Sequence, residues 1–237
     1  MTADVPGPVT TEAPKGPIAS YRHTAIFVVV LLVIAAFGAL GRTSPQPSAG
    51  SPRNIFPLYI SLVAVEGGLL FYVSRGIRKA GLTLADLVGG RWKNARDIAI
   101  DVLIAAIVWT IWLIIAWLIS PFLANNPGPL VDTLLPRGVA ESVVWVVVSV
   151  AAGLAEEITF RGYFQRQAIA ITSSPALAII AQAVLFGVSH GYQGLASCVR
   201  ITVYGLLLGV VAYWRKNLRP GIIVHAWTDV AGGILRV

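Results

Sequence analysis

The stretch VVWVVVSVAAGLAEEITFR, residues 143–161, decides how the rest of the chain is read. It opens as a run of apolar and small residues and closes on Glu156, Glu157 and Arg161. Ionised carboxylates at membrane depth cost roughly 3 kcal/mol each on insertion scales. Two neighbouring ones need partners, and later apolar segments carry two histidines, His190 and His225, that can supply them.

Composition agrees with a membrane setting. Apolar residues make up 56% of the 237 positions and charged residues only 12%, about half the charge of a soluble domain. The formal net charge of +7 does not indicate nucleic acid, because the basic residues sit between apolar runs, where membrane topology accounts for them. The single Cys198 excludes an intrachain disulfide and a cysteine-rich zinc site.

Seven segments are apolar enough to propose as spans: 24–40, 55–74, 98–120, 139–160, 175–191, 196–214 and 219–236. The expected fold is an all-α, polytopic transmembrane helix bundle of about seven spans. Residues 1–22, rich in Pro, Thr, Gly and Ala, read as a disordered tail, which leaves 23–237 as one transmembrane domain. Residues 41–54 and 121–137 are Pro- and Gly-bearing breaks. Residues 76–97 form an amphipathic interfacial segment or a polar loop. The bias of Lys and Arg, thirteen of the eighteen on one side, predicts a cytoplasmic N-terminus and an external C-terminus. That count places Arg161 and Arg166 in a connecting loop.

Three spacings carry chemistry. Glu157 and Arg161 are four apart and share a helix face, acid first, the better order for a pair. Glu156 is turned about 100° from Glu157 and is free for other work. Phe186 and His190, and His225 and Asp229, repeat the four-residue spacing. A carboxylate beside a neutral histidine can activate water as a general base, and a second histidine can donate to an oxyanion. The same groups could instead bind a divalent metal such as zinc. No Gly-x-Ser-x-Gly motif is present, and Ser189, adjacent to His190, is expected to face elsewhere.

Glu-Glu-x-x-x-Arg at 156–161, Phe-x-x-x-His at 186–190 and His-x-x-x-Asp at 225–229, in that order and each on an apolar helix, resemble the motif series of the CPBP family. That family comprises intramembrane proteases that include the type II CAAX prenyl endopeptidases and the bacterial Abi, or bacteriocin-immunity, proteins. The resemblance covers about residues 140–237. It implies that Glu156 activates water with His190, that His225 and Asp229 stabilise the oxyanion or share a metal, and that Glu157, Arg161 and Phe186 support the site. Any metal would then be held by Glu156, His190, His225 and Asp229. An ionised Asp229 cannot donate a hydrogen bond, which favours a metal-binding or histidine-orienting role over an oxyanion one. The resemblance also implies action on a membrane-anchored protein or peptide; the C-terminal Leu-Arg-Val carries no eukaryotic retention signal, and a bacterial plasma membrane is the expected location. Alternatives are a catalytically silent binding or immunity protein, and a small transporter.

One geometric demand follows. Glu156 and His225 fall toward the cytoplasmic half, whereas His190 lies about fifteen residues into its helix, near the far side at about 1.5 Å per residue. Convergence requires that helix to begin outside the hydrocarbon, to tilt, or to follow a dip at 167–174. Among the remaining polar residues, Glu66 lies mid-span and either pairs with an arginine such as Arg200 or lines a cavity. His23 is expected to be solvated at the membrane edge. Asp101 and Glu141 are expected at the interface, and Trp92 and Trp214 in the aromatic belt. Gly205 and Gly209 form a small face for helix packing. Gln182 and Gln193 flank the fifth helix within reach of substrate polar groups, with no role assigned.

Overall fold

The computed structural model describes residues 16–41, 54–123 and 129–235. All its regular elements are helical: α1 (Tyr21–Gly41), α2 (Phe56–Ile77), α3 (Leu84–Val88), α4 (Ala95–Ile119), α5 (Pro129–Leu134), α6 (Val139–Glu156), a π-helical segment (Glu157–Gln165), α7 (Arg166–Thr172), α8 (Pro175–Ser189), α9 (Leu195–Arg215) and α10 (Arg219–Ile234), with short 3-10 turns between some of them. Each of the seven apolar segments is a helix. Five helical runs are long and apolar enough to cross a membrane, and α8, at 15 residues, is a shorter apolar helix. The chain is an integral membrane protein by that measure.

The fourth segment differs most from expectation. It does not end near 160 but continues as one helical run from Val139 to Thr172. Arg161, Gln165, Arg166 and Gln167 look like the end of a span in a hydropathy reading. Three of them are in fact buried against protein: Arg161 is 1% exposed, Gln165 2% and Gln167 0%. Gln165 donates to the Gly209 carbonyl at 3.0 Å, and Arg166 donates to the Leu87 carbonyl of α3 at 2.8 Å. Arg161 and Arg166 are therefore not loop cations.

This extension resolves the mismatch in depth. Thr172 lies sixteen residues beyond Glu156, and His190 lies fifteen beyond Pro175, across a two-residue turn. The α7–α8 hairpin thus returns His190 to the level it left at Glu156. Gly162 and Arg166 are level with α3, so the α7–α8 turn projects past α3, and α8 begins outside that layer. Gln167 there accepts from the backbone N–H groups of Ile18 (2.8 Å) and Ala19 (3.2 Å) and donates to the Ala19 carbonyl at 2.7 Å. The expected tail boundary at residue 22 therefore falls inside α1, with residues 18 and 19 tied down before it. Residues 1–15 lie outside the described residues.

Several bland expectations also change. His23 is held between helices, its ring stacked on Tyr72 at 4.0 Å. Its Nε2–H donates to the Tyr72 carbonyl at 3.0 Å, which leaves Nδ1 to accept from the Tyr163 hydroxyl at 2.8 Å. Asp101 is fully buried: Arg215 and Arg219 bridge its two oxygens at 3.0 and 2.8 Å, and the Trp92 indole donates at 2.8 Å. Trp92 thus clamps Asp101. The segment at 76–97 contains α3, a short helix capped reciprocally by Thr83 and Asp86. Hydrogen bonds from Thr83 hold the Asp86 carboxyl below the usual carboxylate range. Gly89, at φ 95°, closes α3 where a Cβ would meet Asn217.

The small face on α9 behaves as expected. A Cβ at Gly205 would stand 3.1 Å from the Ala183 Cα, and one at Gly209 would overlap Gln182. Gln182 is fully buried and donates to the Gly205 carbonyl at 2.8 Å, so it joins α8 to α9 and does not face substrate. These close approaches let a polar rung form between helices in place of an apolar seam.

Candidate active site

The site is built around the junction of α6 and the π segment. Thr159, fully buried, donates its hydroxyl to the carbonyls of Ala155 and Glu156 at 2.9 and 3.2 Å. Such back-bonding competes with the helical ladder and bends it, and wide turns of this kind recur at functional sites. The junction is also where α10 comes closest. A Cβ at Gly153 would lie 2.8 Å from the Ala226 nitrogen, and one at Gly221 would lie 2.9 Å from the Glu157 carboxylate. Glycine at both positions brings α10, and with it His225, against the two glutamates.

Glu157 is the anchor. It is fully buried, and its Oε1 accepts from Arg161 Nη1 at 2.9 Å and from His225 Nδ1–H at 3.0 Å. The Arg161 guanidinium lies 4.2 Å from the centre of the Phe186 ring. Phe186 in turn meets His190 and His225 edge-on, at 4.9 and 5.7 Å. Glu157, Arg161 and Phe186 are thus in direct contact with one another or with the two histidines.

Glu156 is held differently. Its Oε2 stands 3.5 Å from His225 Nε2, and its Oε1 stands 3.9 Å from His190 Nε2. The expectation that Glu156 and Glu157 work apart is therefore modified, because both converge on opposite nitrogens of the His225 ring. With Nδ1 donating to Glu157 and carboxylate oxygens facing Nε2, both ring nitrogens donate when the ring carries two protons. Asp229 approaches the same Nε2 with Oδ2 at 3.9 Å. Its backbone carbonyl accepts from the Trp145 indole at 2.9 Å, which ties α10 to α6.

His190 ends α8. Its Nδ1–H donates to the Phe186 carbonyl at 2.8 Å, so the bare Nε2 points at Glu156. Ser189 does not face elsewhere. Its hydroxyl lies 3.3 Å from His190 Nδ1 and donates to the Phe186 carbonyl at 2.7 Å. The helix ends there, and His190 at φ −94°, ψ 21° leaves the 100° spacing that separates neighbours on a helix.

A cavity of about 250 Å³ leads to these groups, lined by Glu66, Glu156, Ser189, His190 and Tyr192 at its polar end and by Leu31, Ile34, Leu62, Val65 and Leu69 along its walls. Ile34, Val65 and Leu69 also line an adjoining apolar cavity of about 280 Å³. α1 packs on α8 and the Gly191–Gln193 turn, whereas α2 packs on α6, and the cleft lies between them. Glu66 thus lines a cavity, one of its two expected alternatives. It was visible in the sequence as a lone acid within a span; only the packing of α2 on α6 associates it with Glu156.

Among the described residues no three His, Cys, Asp or Glu side chains group closely enough to hold an ion. The Nδ1 of His225 is held by Glu157, and its Nε2 faces Glu156 and Asp229.

Residues 138–231 match a family model described as Rce1-like, type II CAAX prenyl endopeptidase Rce1-like. The match spans all three motifs. No curated protein and no solved structure matches the chain.

Proposed function

We propose, from the match of residues 138–231 to the type II CAAX prenyl endopeptidase Rce1-like family model, that the chain is an intramembrane endopeptidase cleaving a membrane-anchored protein or peptide with water activated by Glu156 and His190. The family makes the activity proteolytic. The observation that carries the residue-level reading is the 3.9 Å gap between Glu156 Oε1 and His190 Nε2. Both atoms are acceptors, and a water within about 2.8 Å of each donates one hydrogen to either and keeps its lone pairs for attack.

The steps follow from that placement. The water oxygen bonds to the scissile carbonyl carbon as Glu156 takes its proton. The oxyanion that forms is met by His225 Nε2–H, held in orientation by Glu157 and balanced by Asp229. The C–N bond then breaks as Glu156 passes the proton to the departing amine. Stabilisation of this kind is worth most in a water-poor site where donors are already aligned. The cleft between α1 and α2 accepts the apolar part of the substrate, a lipid-modified C-terminus in a CAAX-type substrate. The Lys/Arg bias supports an N-terminus in the cytoplasm. Arg166, Arg215 and Arg219 all gather near α3 and Trp92, in keeping with one basic end.

Purified protein is expected to cleave a lipidated CAAX-type peptide in micelles, with His190→Ala losing most of that activity and a divalent-metal chelator leaving it unchanged. Chelator loss that added zinc restores would overturn the metal-free route. Binding without cleavage would favour a silent immunity-type protein.

The cleft makes a separate prediction. Gly68 lines its apolar part, and a Cβ there meets nothing within 4 Å. Gly68→Leu therefore narrows the cleft without a clash and gains up to about 1 kcal/mol of helix propensity. The expected result is a lower kcat/KM on lipidated substrate with an unchanged or higher Tm; unchanged kcat/KM would remove the cleft from the substrate path.

A further inference from the structure

Glu66 stands mid-way along α2, at the polar end of the cleft. Among the described residues its Oε2 is buried with no hydrogen-bond partner, and the same holds for Oε2 of Glu156. The two side chains line the same cavity. Among the described residues no cation holds Glu156 as Arg161 holds Glu157: its nearest imidazole nitrogens are the 3.5 Å contact to His225 and the 3.9 Å contact to His190.

A general base has conflicting needs. It must be fixed in direction, yet a cation fixing it would weaken it as a base. A second carboxyl meets both needs, because two neighbouring carboxyls can share one proton, and the hydrogen bond between them is of the strong, charge-assisted kind. The groups facing Glu66 are Glu156 on α6, Asp229 on α10, His190 at the end of α8 and Tyr192 in the turn after it. None supplies a fixed positive charge. In so acidic a surround a hydrogen bond that uses one proton for two carboxyls also relieves repulsion.

We propose that Glu66 is a positioning residue for the hydrolysis, its carboxyl directed from α2 into the cavity shared with Glu156 and His190 and holding Glu156 by a carboxyl–carboxylate hydrogen bond. Glu66 acts through Glu156 and does not touch the substrate. The assignment rests on the hydrolytic reading for its catalytic consequence, and on geometry alone for the hydrogen bond.

Two measurements separate these layers. In purified protein, Glu66→Gln keeps the shape and a donor, and kcat is expected within about threefold of wild type. Glu66→Leu removes the donor, and kcat is expected to fall roughly ten- to hundredfold, the scale of a misplaced catalytic group, with KM and Tm unchanged. Equal activity in all three proteins, equal loss in both variants, or a change confined to KM would each overturn the positioning role. The second measurement needs no turnover. Infrared difference spectra are expected to show a protonated-carboxyl C=O band that is lost in Glu66→Gln and displaced in Glu156→Gln. A band that ignores either substitution sinks the hydrogen bond itself. If wild type cleaves nothing yet the band behaves as expected, the hydrolytic reading fails and the carboxyl pair stands.

Discussion

Glu156→Gln is expected to yield a folded protein whose cleavage rate is lower by roughly 10²–10⁴-fold, the contribution of a positioned general base. The fold should survive because the Glu156 side chain is not structural. Its contacts to imidazole nitrogens are 3.5 and 3.9 Å long, and it pairs with no cation at hydrogen-bond distance. Gln keeps the volume and an acceptor but cannot take a proton from water. Single-turnover cleavage of a fluorescent lipidated peptide, with Tm measured on the same preparation, gives both numbers. A variant that retains more than a tenth of the wild-type rate would assign the base elsewhere. One that unfolds would show that the carboxylate is structural after all.

Arg161→Met should have the largest effect on stability, a loss of about 3–5 kcal/mol, as for breaking a buried pair from one side. Arg161 is 1% exposed and Glu157 is fully buried. Among the described residues, removing the guanidinium leaves Glu157 with His225 as its only partner at hydrogen-bond distance. It also strips the cation from the face of Phe186, the ring against which both active-site histidines rest. The double variant Glu157→Gln, Arg161→Met should recover much of the lost stability, because no unpaired charge remains. It should not recover activity, since His225 Nδ1–H then meets a neutral amide in place of a carboxylate. Reversible unfolding of the four proteins in one detergent, read as a double-mutant cycle, tests this. Additive losses would mean that the pair is not coupled.

The corrections have a common cause. The expected connection between the fourth and fifth spans contains Arg161 and Arg166; in the structure Arg161, Gln165, Arg166 and Gln167 each find a partner on another element, Gly205 and Gly209 on α9, Leu87 on α3, and the backbone at Ile18 and Ala19. His23 and Asp101, expected at the membrane edge from their places near span ends, are clamped from two or three sides. Helical spacing turns Ser189 away from His190, but that spacing does not hold at the residue where the helix stops.

The chain on its own determined the seven apolar helical segments, the Glu157–Arg161 pair and the small face at Gly205 and Gly209. All of these depend on neighbours within a turn or on the length of an apolar run, and such local quantities are written directly in the order of residues. Only the tertiary structure decided that Glu156 and Glu157 would share one imidazole, that His190 would return to their depth, and that Glu66 would face them from α2. Those outcomes depend on where helices far apart in sequence pack. The deciding details were the carbons missing at Gly153 and Gly221 and a polar helix end that protein, and not water, covers.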